Sequence, residues 1–131
     1  MIGLDTNVLL RVFIDDNPEQ VAAVHRFVKQ APPFSLFVSD IVLAELVWTM
    51  KRRFRAAKAD LVALLRQLIE RAEFVLENRS DVREAVRLFA QGPADFGDCL
   101  IYVQHRRLGI SKTVSFGEAA IEMQLFVPLE T

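Results

Sequence analysis

The sequence predicts an α/β protein in which a central, mostly parallel sheet is covered by helices on both faces. Short apolar runs of the kind that form strands alternate with longer segments of helical spacing along the whole chain. This alternation favours a parallel sheet between two helical layers, a three-layer α/β/α sandwich. Hydrophobic residues make up 52% of the chain, which is enough to supply a continuous core.

The first half of the chain contains the better-marked elements. Asn17 is the predicted N-cap of a helix that has Pro18 in its first turn, and the segment "APP" ends this helix because proline cannot continue it. The predicted strands, of which the first is expected to be buried, are 1–4, 35–39 and 73–77. The predicted helices are 7–14, 19–30, 41–54 and 58–71.

The second half contains two further predicted helices and two short strands. Asp81 and Glu84 have the spacing of a capping box at the start of a helix over 80–91, which Gly92-Pro93 ends. Gly109 suits the C-terminal end of the next helix, over 94–109. The candidate strands are 112–116 and 126–129.

Length, charge and cysteine content limit the class of protein. The 131 residues predict a single domain over 1–131. A formal net charge of -1 is not that of a chain that binds nucleic acid through its bulk charge, so any such contact needs a local patch or a metal ion. The single cysteine excludes an intramolecular disulfide, and no signal peptide or membrane-spanning run is recognised. We therefore expect a cytoplasmic protein without a membrane segment.

Acidic residues stand where several of these elements begin or end. In open parallel α/β sheets, sites form outside the carboxyl ends of the strands. Asp5 ends the first strand, Glu45 lies about one turn into the helix that follows the second strand, and Asp95 and Asp98 begin a later helix on one face. These four acids are predicted to form one pocket. Carboxylate oxygens favour Mg²⁺ or Mn²⁺, and such a site supports metal-assisted hydrolysis of a phosphodiester.

Each acid also has a purely structural interpretation. Asp5 would cap the helix that follows it, and Asp95 and Asp98 would be first-turn acids favoured by the helix dipole. Glu45 lies in the aliphatic run "IVLAELVW", where a buried carboxylate needs a partner, but it would also be explained as a partly exposed residue paired with an arginine. The four acids together, each at the expected end of its element, are stronger evidence for a metal site than any one of them alone.

Four segments resemble the motifs of PIN-domain proteins in order and spacing, and most of all the VapC-type toxins of bacterial toxin–antitoxin pairs. The segments are "MIGLDTNVLLR", "VSDIVLAELVW", "ADFGDCLI" and "TVSF", and the resemblance covers nearly the whole chain. It implies a PIN-like fold and a metal-dependent ribonuclease, with RNA as substrate. It also implies a homodimer and a small antitoxin as a protein partner.

The resemblance assigns roles to particular residues. The metal acids of the family fall on Asp5, Glu45, Asp95 and Asp98, with Mg²⁺ or Mn²⁺ as cofactor and with Glu45 acting through water or as general base. The family commonly has "TFD" after the late strand, whereas this chain has "VSFGE", so that Gly117 stands where the aspartate would fall. The supporting residues expected near the site are Thr6, Asn7, Ser115 and Glu118, the last of which lies one position beyond the usual acid.

Two alternative functions stay open at this level. One is a PIN nuclease that processes RNA without an antitoxin, and the other is a catalytically weakened PIN module that binds RNA or protein, an alternative that Gly117 favours. The basic stretch "KRRFRAAK" is explained either by the dipole at a helix end, by RNA or by the antitoxin. Trp48, with its neighbours Leu46, Val47 and Phe54, would belong either to the core or to a dimer or antitoxin surface.

Overall fold

The computed structural model describes residues 1–130. Within them the helices are α1 (Thr6–Phe13), α2 (Pro18–Gln30), α3 (Asp40–Phe54), α4 (Lys58–Glu70), α5 (Arg79–Gln91), α6 (Phe96–Arg107) and α7 (Glu118–Glu122). The strands are β1 (Ile2–Gly3), β2 (Leu36–Val38), β3 (Phe74–Leu76), β4 (Val114–Ser115) and β5 (Val127–Pro128). The chain forms two compact units, Met1–Arg79 and Ser80–Thr131. The expectation of a single domain stays a prediction.

The first unit is built on a three-stranded parallel sheet in the order β1-β2-β3. Central strand β2 is buried, and its Leu36 pairs in register with Phe74 of β3. Helices α1 and α2 connect β1 to β2, and α3 and α4 connect β2 to β3, as parallel pairing requires. Strand β1 was expected to be buried, and this is wrong: as an edge strand it leaves Ile2 51% exposed, and burial begins only at Leu4.

Side-chain caps fix where the helices of the first unit begin. Asn17 caps α2 by accepting a hydrogen bond from the backbone N–H of Gln20 at 3.2 Å, with Pro18 in the first turn as predicted. Ser39 caps α3 in the same way, through its hydroxyl and the N–H of Val42. Because Ser39 directly follows β2, its cap ensures that α3 leaves the sheet from the carboxyl end of that strand.

The second unit contains α6, α7, a two-stranded parallel sheet of β4 and β5, and α5 from Ser80 onward. Gly109 has a φ of +79° just beyond α6, a left-handed conformation that suits glycine and ends the helix as predicted. Phe89 and Phe96 pack edge to face with their ring centroids 6.1 Å apart, which joins α5 to α6.

The predicted capping box at Asp81 is wrong. Helix α5 already begins at Arg79, so Asp81 lies inside the first turn, where it is buried and accepts a hydrogen bond from Nε of Arg107 at 2.8 Å. Glu84 instead pairs with Arg87 on the helix surface. A long-range ion pair therefore takes the place of the local cap.

The α/β class and the parallel pairing of every strand among residues 1–130 are confirmed. The strands are divided between two sheets, one in each unit. Helix α7 was not predicted, because its five residues are too few to show a helical period. Among residues 1–130, none of the helices combines the length and the apolar character that crossing a bilayer requires.

Candidate metal centre

The neighbours Asp5 and Thr6 of the first unit lie where α1 leaves the sheet, and Thr6 contacts Glu45 of α3. Oδ1 of Asp5 accepts a hydrogen bond from the backbone N–H of Val8 at 3.0 Å, so Asp5 caps α1. The hydroxyl of the next residue, Thr6, donates to Oε2 of Glu45 at 3.1 Å, across 39 residues of sequence. This contact forms because β1 and β2 are parallel neighbours and release their helices at the same edge.

The interpretation of Asp5 as a helix cap is thus confirmed, but capping uses only one of its oxygens. Glu45 is exposed, so the expectation that it needs a partner because of burial is wrong. The side of α3 that packs into the core consists of the aliphatic residues around Glu45, among them Leu43 and Leu46. The backbone carbonyl of Asn7 accepts a 2.8 Å hydrogen bond from the guanidinium of Arg11, and Asn7 itself is exposed.

Asp40 is a buried acid at the same edge that the sequence did not assign to the site. It is 8% exposed, and its Oδ2 accepts a hydrogen bond from the side-chain amide of Asn78 at 3.2 Å. Its backbone N–H donates to Oε1 of Glu77 at 3.0 Å. These contacts join the end of β2 to the end of β3 and hold the first turn of α3 in place. A polar residue directly after a second parallel strand is the signal that could have marked it.

The second unit holds the other two acids at the start of α6. Asp95 is the N-cap, and its Oδ1 accepts a hydrogen bond from the backbone N–H of Asp98 at 2.8 Å. Asp98 is half-buried, and among residues 1–130 its carboxylate accepts no hydrogen bond. Burial raises the pKa of the Asp98 carboxyl above its ordinary value, and the negative charge of Asp95 raises it further. A nearby cation would favour the ionised form of Asp98.

Residues at the end of β4 surround this pair. The hydroxyl of Ser115 accepts a 2.8 Å hydrogen bond from the backbone N–H of Gly117, the N-cap residue of α7. A Cβ atom at Gly117 would lie 3.7 Å from Oδ2 of Asp98 and 3.2 Å from the hydroxyl oxygen of Ser115. A side chain at position 117 would therefore start beside Asp98. Glu118, one residue later, is exposed in the first turn of α7.

The donor atoms of both groups are those that a hard cation uses. They are carboxylate and hydroxyl oxygens. The feature that fits a divalent ion is the Asp98 carboxylate, which is half-buried beside the negative charge of Asp95. Within each unit, no three His, Cys, Asp or Glu side chains of the described residues come close enough together to hold a metal by themselves. The four-acid pocket expected from the sequence stays a prediction.

Parallel strands that lead into helices, with carboxylates at the junctions, define a class of α/β proteins whose sites lie at the carboxyl ends of the strands. The sequence model of the PIN domain matches residues 2–124, nearly the whole chain, and the chain therefore belongs to the PIN-domain family. It is also similar to a VapC ribonuclease of Aquifex aeolicus (strain VF5). The two are 30% identical over 116 residues, which cover 87% of this chain and 85% of the relative.

Proposed function

We propose that this chain is a metal-dependent endoribonuclease and the toxin of a toxin–antitoxin pair. Membership of the PIN-domain family and the similarity to a VapC ribonuclease support the nuclease. The observation that carries the metal dependence is the start of α6, where Asp98 is half-buried beside Asp95 and its carboxylate accepts no hydrogen bond from the described residues. Burial, and after it the negative charge of Asp95, raise the pKa of the Asp98 carboxyl, and a cation would compensate both.

We assign Asp5, Asp95 and Asp98 as the residues that would hold Mg²⁺ or Mn²⁺. Such an ion would lower the pKa of a bound water and neutralise charge on the scissile phosphate. Asp98 would supply a carboxylate that accepts no hydrogen bond from the described residues, so that both of its oxygens are available to the ion. Asp5 would offer the oxygen that does not cap α1.

Glu45 is our candidate for the general base. Its Oε2 is held by the hydroxyl of Thr6 at 3.1 Å, which fixes the direction of the carboxylate, while its exposure leaves the second oxygen open to water. In this role Glu45 takes a proton from the attacking water as the phosphodiester is cleaved. Thr6 is then a positioning residue, and Ser115 holds the backbone beside Asp98 through its bond to Gly117.

The test is to incubate purified protein with total RNA in Mg²⁺, in Mn²⁺ and in EDTA, and to map the ends produced. Fragments with defined ends that form only with metal would support the proposal. Intact RNA under every condition, from protein whose fold is verified by circular dichroism, would refute the nuclease assignment.

A second function, a weakened PIN module that binds RNA or protein without cutting, is favoured by one observation. Gly117 places a hydrogen where a carboxylate side chain would begin 3.7 Å from Oδ2 of Asp98. RNA that binds in EDTA and stays uncut when metal is added would select this function. A PIN nuclease of RNA processing is the third candidate, and co-purification with a small antitoxin would argue against it.

The proposed partners are RNA, an antitoxin and a second copy of the chain. For a homodimer, light scattering should give about twice the 14.9 kDa of the monomer. A mass of one chain at every accessible concentration would refute the dimer and leave the nuclease chemistry unaffected. The cytoplasmic location expected from the sequence stays a prediction.

A further inference from the structure

One face of α3 is exposed along its whole length and contains Glu45. Positions 41, 45, 48 and 52 are separated by four, three and four residues, a spacing that places their side chains in one stripe. All four are exposed, with Ile41 at 70% and Trp48 at 60%. Of the two alternatives for this group, Leu46 and Val47 belong to the core, whereas Trp48 lies at the surface.

Trp48 is held in place on this face by a cation. The guanidinium carbon of Arg52 lies 5.1 Å from the centroid of the Trp48 ring system, a cation–π contact that restrains both side chains. An exposed aromatic ring that is already restrained gives a platform on which a nucleobase can stack. Since α3 rises 1.5 Å per residue, Trp48 lies about 4.5 Å along the helix from Glu45, and Arg52 about 10 Å.

The end of α3 adds further positive charge. Lys51, Arg52, Arg53 and Arg55 are all exposed, and none of the four forms an ion pair within residues 1–130. The helix dipole explains a preference for cations in the last turn, but each gains only about 0.3–1 kcal/mol from it. The dipole gives no reason for an exposed tryptophan in the preceding turn.

We propose that this face of α3 is the track along which single-stranded RNA reaches Glu45. In this arrangement a base stacks on Trp48, and Arg52 with its basic neighbours contacts the phosphates on the side away from Glu45. The inference rests on the proposed ribonuclease function, and it adds where the substrate strand runs. It gives both the basic stretch and the exposed tryptophan a role in one surface.

Charge argues for RNA rather than a second copy of the chain on this face. In a two-fold symmetric dimer the same patch meets itself. Even with Glu45 of one copy opposite Arg52 of the other, both copies would bring the exposed cations Lys51, Arg53 and Arg55 close to this interface, and the stripe holds no further acid to offset them. An excess of positive charge opposes association of two copies, whereas a polyanion compensates it.

The test is RNA binding in EDTA, so that no strand is cut. Fluorescence anisotropy of a labelled single-stranded RNA would give the Kd of wild type, Trp48→Ala and Trp48→Phe. The expected Kd for Trp48→Ala is higher by about 5-fold or more, the loss of one stacked base, while Trp48→Phe keeps most of the affinity. Phe34→Ala is the matched control, because Phe34 is an aromatic residue of the same unit that is 69% exposed.

The salt dependence separates the two kinds of contact. Arg52→Ala should flatten the slope of log K against log salt by about 0.7, the value for one phosphate contact on a single strand, and Trp48→Ala should leave it unchanged. Arg26→Ala, which removes an exposed arginine from α2, is the matched control and should leave both Kd and slope unchanged.

Trp48 is the sole tryptophan of the chain, so its fluorescence reports on the surface directly. Saturable quenching by RNA at the concentration that saturates anisotropy would support the track. Quenching by polyglutamate but not by RNA would overturn it in favour of an acidic peptide. A drop from dimer to monomer mass in Trp48→Ala would overturn it in favour of an interface between copies.

Failure of this inference can be told apart from failure of the nuclease proposal. If wild type cuts RNA with metal while Trp48→Ala and Arg52→Ala bind and cut as wild type does, the track is wrong and the nuclease stands. If RNA binds through Trp48 in EDTA and is never cut, the track stands and the nuclease is wrong.

Discussion

The two groups of acids differ in how their negative charge is balanced inside their own unit. In the first unit, Asp5 accepts a hydrogen bond from a backbone N–H and Glu45 accepts one from Thr6. In the second, Asp98 is half-buried beside Asp95, and its carboxylate accepts no hydrogen bond from the described residues. Each acid of the first group therefore has a hydrogen-bond donor within its own unit. The second carries an electrostatic cost that a cation would remove, and we expect the ion to matter most there.

The largest effect should come from removing the uncompensated acid. Asp98→Asn is expected to lower the rate of RNA cleavage by about 100-fold or more, since a ligand that stabilises charge in the transition state is lost. Asp60→Asn is the matched control, because Asp60 is also an acid in the first turn of a helix. Cleavage by folded Asp98→Asn at the rate of the control would refute the role of the second group.

An effect of similar or smaller size is expected from the first group. Glu45→Gln should lower the rate by about 100-fold if Glu45 is the general base, and should remove the acidic limb of the pH–rate profile. Thr6→Val keeps the carboxylate but removes the hydroxyl that holds it, so the rate should fall only about 5-fold, with the pH profile retained. Equal losses in the two variants would show that Glu45 is a structural residue rather than a base.

The fold class, the start of α2 and the positions of the acids in the fold could be predicted from the sequence, because they depend on local signals. Asparagine and proline marked the start of α2, and the alternation of apolar runs predicted the α/β class. The strand ends placed the acids at helix starts. These features follow from backbone chemistry within a few residues.

What could not be predicted depends on partners that are distant in sequence. The exposure of Ile2 follows from the position of β1 at the edge of the sheet. Asp81 pairs with Arg107, 26 residues away, instead of capping its own helix. The closeness of position 117 to Asp98 likewise arises only when β4 lies beside the start of α6. Spacing along the chain contains none of these contacts.

Gly117 gives a way to strengthen the second group. In Gly117→Asp the Cβ of a third acid would lie 3.7 Å from Oδ2 of Asp98, and the backbone φ of −74° is open to any residue. The hydroxyl of Ser115, 3.2 Å from this Cβ, would have to move by a few tenths of an ångström. We expect tighter Mn²⁺ binding, by about 10-fold for one added ligand, and a higher cleavage rate. Gly117→Asn is the control of equal size without the charge. If both variants match wild type in affinity and rate, position 117 lies outside the site.

Stability in EDTA should change in opposite directions for the two groups. Asp5→Ala removes a helix cap and should cost about 1 kcal/mol, whereas Asp98→Asn removes a repelled charge and should raise the melting temperature. The gain should be no more than about 1 kcal/mol, because Asp98 is partly open to solvent. Thermal melts of both variants against wild type and Asp60→Asn measure this difference, and equal signs for the two variants would contradict it.

The pH dependence of stability follows from the same pKa shift. Because folding raises the pKa of Asp98, the folded protein binds more protons than the unfolded chain between the ordinary and the raised value. The contribution of Asp98 to stability therefore falls as pH rises through this window. In Asp98→Asn this part of the decline should disappear, and melts across the acidic range would show the difference.

Binding of Mn²⁺ measured by titration calorimetry tests the central claim most directly, because it needs neither an RNA target nor a partner protein. Wild type and Asp60→Asn should bind the ion saturably with the same affinity, and Asp98→Asn should bind it at least about 10-fold more weakly. Bound ion should also raise the melting temperature of wild type more than that of Asp98→Asn. Wild type that binds no Mn²⁺, or Asp98→Asn that binds it as wild type does, would contradict the account.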